Sequence, residues 1–586
     1  MAAIVAIGAV SPFGVGDDAW SNGPLGAPAR LAIARDRALV DAGAKKPFAA
    51  RAVHLSRDDD GDRATSILLR TLAQIEHALP AGARLGVALG SSSGGMASAE
   101  ALFAARRKGE TIPPALADAA TYHAPFRALI ARLRACGRAP TRTAHLLTAC
   151  SASTLAMGIG TRWLDVGACD VVIAGGYDAL TTFVAAGFEA LGATTASPPP
   201  RPFRLGRDGM SLGEGCALFV LRRDLERDFE FDDAPALARI VGFGASGDAV
   251  HLTAPDRTGG GLARSAVIAL QRANVAPSSI DLVSVHGTST AFNDPMEKKA
   301  IAIALGDHAD VAAVHAAKAS IGHTLGAAGA LETALVVDAI RRELIPATAG
   351  EGTLDPEAST TARDRNEARK IGAALKLSAA FGGANAALVV VPTSSTLVSP
   401  AIVARAVDVV AQVEVPAHVD LGELAQASGI ARERLGRMDS VCHLALAAVS
   451  ALALELSRER LRGAGVVLGS VLATIDVNAI YDDGLRRRGF AHAEGRRFAY
   501  TTPNAAAGEC AIAFGLTGPN LAVGRGVDAA VEARELAHDL VACGDAEQVV
   551  VIDVDAEGPM TTMLAATLGL DVRFGARATL LRARSG

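Results

Sequence analysis

One part of this chain is a second version of another part. Residues 462–477, RGAGVVLGSVLATIDV, echo ARLGVALGSSSGGMAS at 83–98. CGDAEQVVVIDVDAEG (543–558) echoes VGACDVVIAGGYDAL (166–180), and GARATLLRAR (575–584) echoes GCALFVLRR (215–223). A fourth stretch, MDSVCHLALAAVSALALEL (438–456), has the helical pattern of ATSILLRTLAQIEHAL (64–79). Any two α/β segments share some patterning, so the argument rests on four echoes keeping one order. They predict a tail that copies the fold of roughly the first 220 residues and then stops.

Short β-branched runs at 4–10, 85–95, 170–180, 215–223, 281–290 and 386–391 read as strands. Residues 64–79, 261–275 and 329–344 carry the apolar spacing of helices. Alternating strands and helices imply an α/β layer fold. Proline-rich SPPPRPF (197–203) and the charged, turn-rich stretch 350–370 read as loops. PTSSTLVSP (392–400) reads as a linker, which divides the 586 residues into a unit of 1–395 and a tail of 401–586.

Half of the chain is hydrophobic and a fifth is charged, enough for a large core. Aromatics are only 4%, while alanine and the 60 glycines suit closely packed helix–sheet layers. A net charge of −5 carries no sign of a nucleic-acid binder. The seven cysteines are scattered, odd in number and lack CxxC spacing, which implies a reduced, cytoplasmic protein with no metal site. The opening MAAIVAIGAVSPFG has no basic region of a signal peptide. Every apolar stretch is interrupted before the ~18 residues a membrane helix needs, so no span is expected.

Four segments carry candidate chemistry. TACSAS (148–153) places Cys150 between a strand end and an Ala/Gly-rich helix. Unpaired N–H groups and the macrodipole at a helix N-terminus favour a thiolate, although a single cysteine is more often structural. VHGTSTAFNDPMEKKA (285–300) holds His286, Asp294 and Glu297 after a strand, where a lone histidine is more often structural. KASIGHTLGAAGALE (318–332) holds Lys318, His323 and Glu332. AAFGGANAALVV (379–390) holds Phe381 and the flexible pair Gly382 and Gly383, able to aim N–H groups at an oxyanion. A glycine-rich turn alone says nothing of this.

Taken in order, these segments resemble the β-ketoacyl-acyl-carrier-protein synthases, condensing enzymes of the thiolase superfamily. The opening strand and turn, GSSSGG (90–95), RPFRLGRDGMSLGEGCALFVL (201–221) and GFGASGDAVHLTAPD (242–256) are similar to further family segments. The resemblance spans roughly residues 1–392 and implies a layered α/β/α/β/α thiolase-like fold with halves of about 1–230 and 231–395. It implies that Cys150 takes up an acyl group from a thioester. Malonyl thioester then loses CO2, and His286 and His323 stabilise the enolate as Nε2 donors. The Cys150 and Phe381 N–H groups would hold the tetrahedral oxyanion, with Phe381 and Gly382 forming the gate of the acyl pocket. Lys318 anchors the network with Glu332, and Asp294 supports it. The family needs no cofactor, and its substrates ride on the phosphopantetheine of an acyl carrier protein.

The chain departs from the family pattern in places. Ala380 stands where a glycine is usual, Ala384 where a threonine is usual, and the approach to Cys150 lacks the Gly-Pro pair. YHAPFRALIARLRA (122–135) replaces a stretch that in the family lines the pocket and the dimer interface. The tail keeps that stretch, TTPNAAAGECAIAFGLTGPNLAV (501–523), but has Val527 at the cysteine position and ends before any HGTST or GH motif. The tail therefore resembles an inactive half-synthase of chain-length-factor type. It stands in for a dimer partner within the chain, or pairs with another tail in a homodimer, or leaves room for a second synthase subunit. Arg106, Arg107 and Lys108 form a basic run suited to docking an acidic carrier protein, or simply a solvated helix end, the commoner outcome. The competing functional readings are acyl transfer without decarboxylation and a non-enzymatic scaffold.

Overall fold

The computed structural model describes all residues except 22, 24, 27–29, 56–61, 224–234, 398–399 and 585–586. The expected boundary near residue 230 and part of the expected linker at 392–400 lie outside the described residues. The first part of the chain supplies strands β1 (Ala2–Ser11), β2 (Leu85–Gly90), β3 (Arg142–Leu146), β4 (Val171–Asp178) and β5 (Gly215–Arg223). Next come β6 (Ala238–Gly247), β7 (Leu282–Ser284), β8 (Ala313–His315), β9 (Ala374–Ala379) and β10 (Ala384–Val391). The tail adds β11 (Val407–Val415), β12 (Gly465–Gly469), β13 (Asn520–Val523), β14 (Gln548–Asp555) and β15 (Gly575–Ala583). The main helices are α1 (Arg63–Leu72), α2 (Met96–Arg107), α3 (Ala124–Ala135), α4 (Ala152–Asp165), α5 (Gly260–Ala273) and α6 (Ala328–Arg341). In the tail they are α7 (Ser440–Leu456), α8 (Ile475–Arg488), α9 (Ala505–Phe514) and α10 (Ala529–Ala542).

The repeat read in the sequence is a repeat of topology. The first copy runs β1-β5-β4-β2-β3 across its sheet, and the tail runs β11-β15-β14-β12-β13. Each step has the same sense in both copies: the first two pairs are antiparallel and the last two parallel. The copies meet edge to edge. β3 and β13 pair antiparallel with Leu146 opposite Val523. Leu147 N–H donates to Ala522 O at 2.8 Å and Gly524 N–H to His145 O at 3.2 Å. Each copy thus covers the unpaired edge that the other would expose, and one sheet of 16 strands runs through both among the described residues.

Beyond β1 the sheet continues through β6, β10, β9, β7 and β8. Helices α4 and α6 lie between the two parts of this sheet, buried from 152 to 164 and from 328 to 340. A helix buried all round favours apolar residues, and close approach of its neighbours favours small ones. A Cβ on Gly158 would lie 2.2 Å from the Phe243 ring, and one on Gly329 would lie 1.9 Å from Thr154 Oγ1. The glycines and alanines therefore serve this middle layer. Helices α1 and α3 form the outer layer on one side and α5 on the other; α7 and α10 clasp the tail's sheet.

Two elements differ from expectation. The strand expected at 281–290 ends at Ser284, because Gly287 and Ser289 take φ of +56° and +59° and break the extended run. Within the expected loop 350–370, Glu367–Ala368 pairs with Leu344–Ile345. All seven cysteines are free. No helix among the described residues is long and apolar enough to cross a membrane.

Candidate active site

Cys150 lies on a single tight turn, Ala149–Ser151, between β3 and the N-terminus of α4. Ala149 takes φ +44°, a strained value for a residue with a Cβ. The turn is braced by Thr148, whose Oγ1 accepts from Ala522 N–H at 3.0 Å in the tail. His323 Nε2 stands 3.1 Å from Cys150 Sγ. Its Nδ1 accepts the Leu325 N–H at 3.2 Å, so the neutral ring carries its proton on Nε2 and donates toward the sulfur. His286 lies edge-on to His323 with ring centres 5.3 Å apart.

The loop bearing His286 is held by carboxylates. Glu297 accepts the N–H groups of His286 and Gly287, both at 2.6 Å. Asp294 accepts those of Phe203 at 2.9 Å and Ser289 at 3.1 Å, joining the RPF and HGTST segments. Burial pushes Asp294 up to about 6 and Glu297 up to about 7. Behind His323, Lys318 Nζ meets Glu332 Oε1 at 2.5 Å, and Lys376 Nζ meets Glu332 Oε2 at 2.8 Å. All three side chains are buried. Removing one member of a buried ion pair typically costs about 3–5 kcal/mol, so Glu332 locks both lysines in place.

Burial and the nearby Lys318 ammonium hold both histidines well below the usual imidazole range. Both rings are neutral rather than imidazolium; His323 donates through Nε2, whereas His286 Nδ1 is buried without a hydrogen-bond partner. Burial acts on Cys150 against the helix N-terminus. Burial pushes the thiol up to about 12, and Lys318 opposes this only in part. The helix N-terminus favours the anion, and burial disfavours it.

Phe381 is half-buried, with its ring 5.6 Å from Phe188, and Gly382 takes φ +80°. A cavity of about 390 Å³ leads to Cys150 between His286, His323, Phe188, Met210 and Phe381. A smaller one of about 30 Å³ continues past Cys150 toward Tyr122, Phe183, Phe498 and Thr501, the last two from the tail.

The structure brings together Cys150, His286, His323, Lys318, Glu332, Asp294, Phe381 and Gly382. The basic run does not stay together. Arg107 makes ion pairs with Asp482 and Asp483 of α8, so its charge is neutralised against the tail and the docking expectation fails for it. Lys108 remains exposed, and Arg106 is partly exposed with Asp483 at 4.0 Å. Sequence reasoning missed Lys376 and Asp178. Asp178 accepts from Ser91 Oγ, Ser92 N–H, Ser93 N–H and Gly326 N–H, tying the turn after β2 to the segment that follows His323. Its place at a strand end opposite a serine-rich turn was the available signal.

In the tail the same turn is Gly526–Asp528, before α10, and Gly526 has φ +68° where Ala149 has +44°. Val527 occupies the place of Cys150 and is half-exposed. The description "Beta-ketoacyl synthase, N-terminal domain" fits residues 64–227 and again 413–576, and "Beta-ketoacyl synthase, C-terminal domain" fits 237–351. The chain belongs to the β-ketoacyl synthase family.

As a β-ketoacyl synthase family member it has a thiolase-like fold followed by a second thiolase-like half. Over 252 residues it is 40% identical to 3-oxoacyl-[acyl-carrier-protein] synthase 2 of Coxiella burnetii, covering 42% of this chain and 60% of that protein. It is 34% identical over 258 residues to the actinorhodin polyketide putative β-ketoacyl synthase 1 of Streptomyces coelicolor, covering 41% and 53%. The matched region spans little more than half the length of these relatives. Among solved structures, a type II polyketide ketosynthase in complex with its acyl-carrier protein is 26% identical, with TM-score 0.60 over 67% of this chain and 99% of that one. The keto synthase–chain length factor PfaC has TM-score 0.78 over 99% of this chain and 78% of that one; at 17% identity it speaks for the fold alone.

Proposed function

We propose that the chain catalyses decarboxylative condensation of an acyl thioester with a malonyl thioester, both carried by an acyl carrier protein, in fatty-acid, polyketide or aryl-polyene-type synthesis. The observation that carries this reading is the cluster of Cys150 Sγ, the Nε2–H of His323 at 3.1 Å and the adjacent ring of His286. Cys150 Sγ attacks the acyl carbonyl, the carbon–sulfur bond to the carrier breaks, and the proton of Cys150 leaves with the carrier thiol. Malonyl thioester then enters. Its terminal carbon–carbon bond breaks, CO2 departs, and the electron pair spreads onto the thioester oxygen. Two neutral imidazoles beside the sulfur in a buried site suit that charge, because each can present an N–H to the developing oxyanion. The enolate carbon attacks the Cys150 acyl carbonyl, whose oxygen rests on the Cys150 and Phe381 N–H groups, and the Cys150 thiolate leaves. Relatives named as acyl-carrier-protein synthases and a ketosynthase solved with its carrier support the choice of carrier. Exposed Lys108 and Arg106 are the solvent-facing remainder of the proposed carrier-docking surface.

The proposed role of residues 401–586 is that of an inactive half-synthase filling a partner subunit's place within the chain. Val527 in the nucleophile's position and the β3–β13 pairing support it. The test is intact-mass analysis with acyl and malonyl carrier proteins. Wild-type protein gains one acyl group and releases CO2; Cys150→Ala gains none. Normal acyl loading of Cys150→Ala would end the reading.

A further inference from the structure

Two asparagines of the tail reach into the loop that carries Phe381. Asn504 Nδ2 donates to Phe381 O at 2.7 Å, and Asn520 Nδ2 donates to Gly382 O at 3.1 Å. Both side chains are fully buried. The carbonyl oxygens Asn504 Oδ1 and Asn520 Oδ1 are buried with no hydrogen-bond partner. Buried polar atoms are normally satisfied, and one left unpaired calls for a reason. Here each amide directs its donor end at a loop carbonyl. The approach is close: a Cβ on Gly382 would lie 2.7 Å from Asn504 Nδ2, and one on Gly508 would lie 2.8 Å from Gly382 Cα.

We infer that Asn504 and Asn520, although outside the catalytic unit, are positioning residues that set the direction of the Phe381 N–H at Cys150. The inference rests on the reading of Cys150 and Phe381 proposed above. A peptide unit is rigid, so holding both of its ends fixes its plane. The Phe381–Gly382 unit is held at its oxygen by Asn504 and at its nitrogen by Leu252 O, 2.7 Å away. Only the two backbone torsions of Phe381 then separate this fixed plane from the one that bears the Phe381 N–H. The tail also braces the turn of Cys150 through Thr148 and Ala522. Both proposed oxyanion donors are therefore referenced to one external body.

The pseudo-symmetry of the molecule supplies a control. Asn504 immediately precedes α9, and His123 immediately precedes α3, its counterpart in the first copy. Residues 401–586 contain no second Phe-Gly-Gly sequence. His123 instead packs against Gly526, where a Cβ would lie 3.0 Å from its Nε2. The asparagine is present only in the copy that faces a working loop.

The full-length chain serves for the test, with single-turnover acyl loading from acyl carrier protein and malonyl decarboxylation measured on the same preparations. Asn504→Ala is expected to slow loading about tenfold to a hundredfold, less than the 10²–10³ for outright loss of an oxyanion donor. Decarboxylation, which uses the histidines, should stay within about twofold, and the KM for the carrier should not move. Asn504→Asp, which keeps the size but loses the donor, should behave like Asn504→Ala, and Asn520→Ala should shift the same ratio less. Unchanged loading, or equal loss of both steps, overturns the inference. If Asn504→Ala does not fold, the other two variants decide by the same ratio. Acyl loading in a Cys150→Ala control would instead sink the underlying reading.

Discussion

The two copies share a backbone and differ at the face where a second half would pack. In the first copy, Ala217, Phe219 and Leu221 on β5 are fully buried in the core that includes α6 residues. Their counterparts on β15 are Arg577, Thr579 and Leu581; Arg577 meets Glu414 and Thr579 meets Gln412 on β11, while Leu581 stays buried in the core. Strand β1 has long neighbours on both sides, β5 and β6, whereas among the described residues β11 pairs with β15 alone. The tail's sheet has thus exchanged part of an apolar face for a polar one. Carboxylates line the uncovered edge, as they do on edges that resist further pairing. Asp178 and Asp555 show the same history. Both receive a serine hydroxyl and turn N–H groups, but only Asp178 also receives Gly326 N–H from the second half. The comparison teaches that two copies of one half-fold can share a sheet edge while one of them carries polar side chains at positions that are apolar in the other.

Removing the tail is the most severe way to break this comparison. Truncation after residue 395 exposes the β3 edge and unpartners Arg107, Tyr122 and the Phe381 loop. The expected result is an aggregating protein with no acyl loading, followed by size exclusion and intact mass. A soluble and fully active fragment would show that the tail supports neither fold nor catalysis.

His286→Ala and His323→Ala should each still accept an acyl group on Cys150 while malonyl decarboxylation falls about 10²–10³-fold. Burial and Lys318 depress both imidazoles well below 6.5, so the neutral donors persist as pH falls and are lost only on acidification through the lowered values. Wild-type decarboxylation should therefore show no loss with a midpoint near 6.5. Such a midpoint, or wild-type rates in either mutant, would remove the histidines from the role proposed.

The gentlest test places the missing nucleophile in the tail. Val527→Cys is expected to add one thiol that reacts with iodoacetamide, because the position is half-exposed, and to leave acyl loading at one group per chain. No histidine of an HGTST or GH motif exists in the tail to face it. A second acyl group at residue 527 would show that the turn alone suffices.

Much of the site was legible because its motifs are local. TACSAS, HGTST and KASIGH each place a reactive side chain beside the glycines and small residues its turn requires, so Cys150, His286 and His323 could be named in advance. Lys376 could not, since a lone lysine in a strand has no local partner; it is explained only by Glu332, 44 residues earlier in the chain. Arg107 was misread for the same reason, its carboxylate partners lying more than 370 residues away.

From sequence alone came the repeat, the alternation of strands and helices, the order of motifs and the absence of a nucleophile in the tail. These depend on residue type and short-range spacing. Tertiary structure alone decided that the copies join through β3 and β13, that Cys150 is buried, and that Asn504 and Asn520 meet the Phe381 loop. Edge pairing, desolvation and hydrogen bonding across the interface depend on which distant segments share a volume, and no local pattern encodes that.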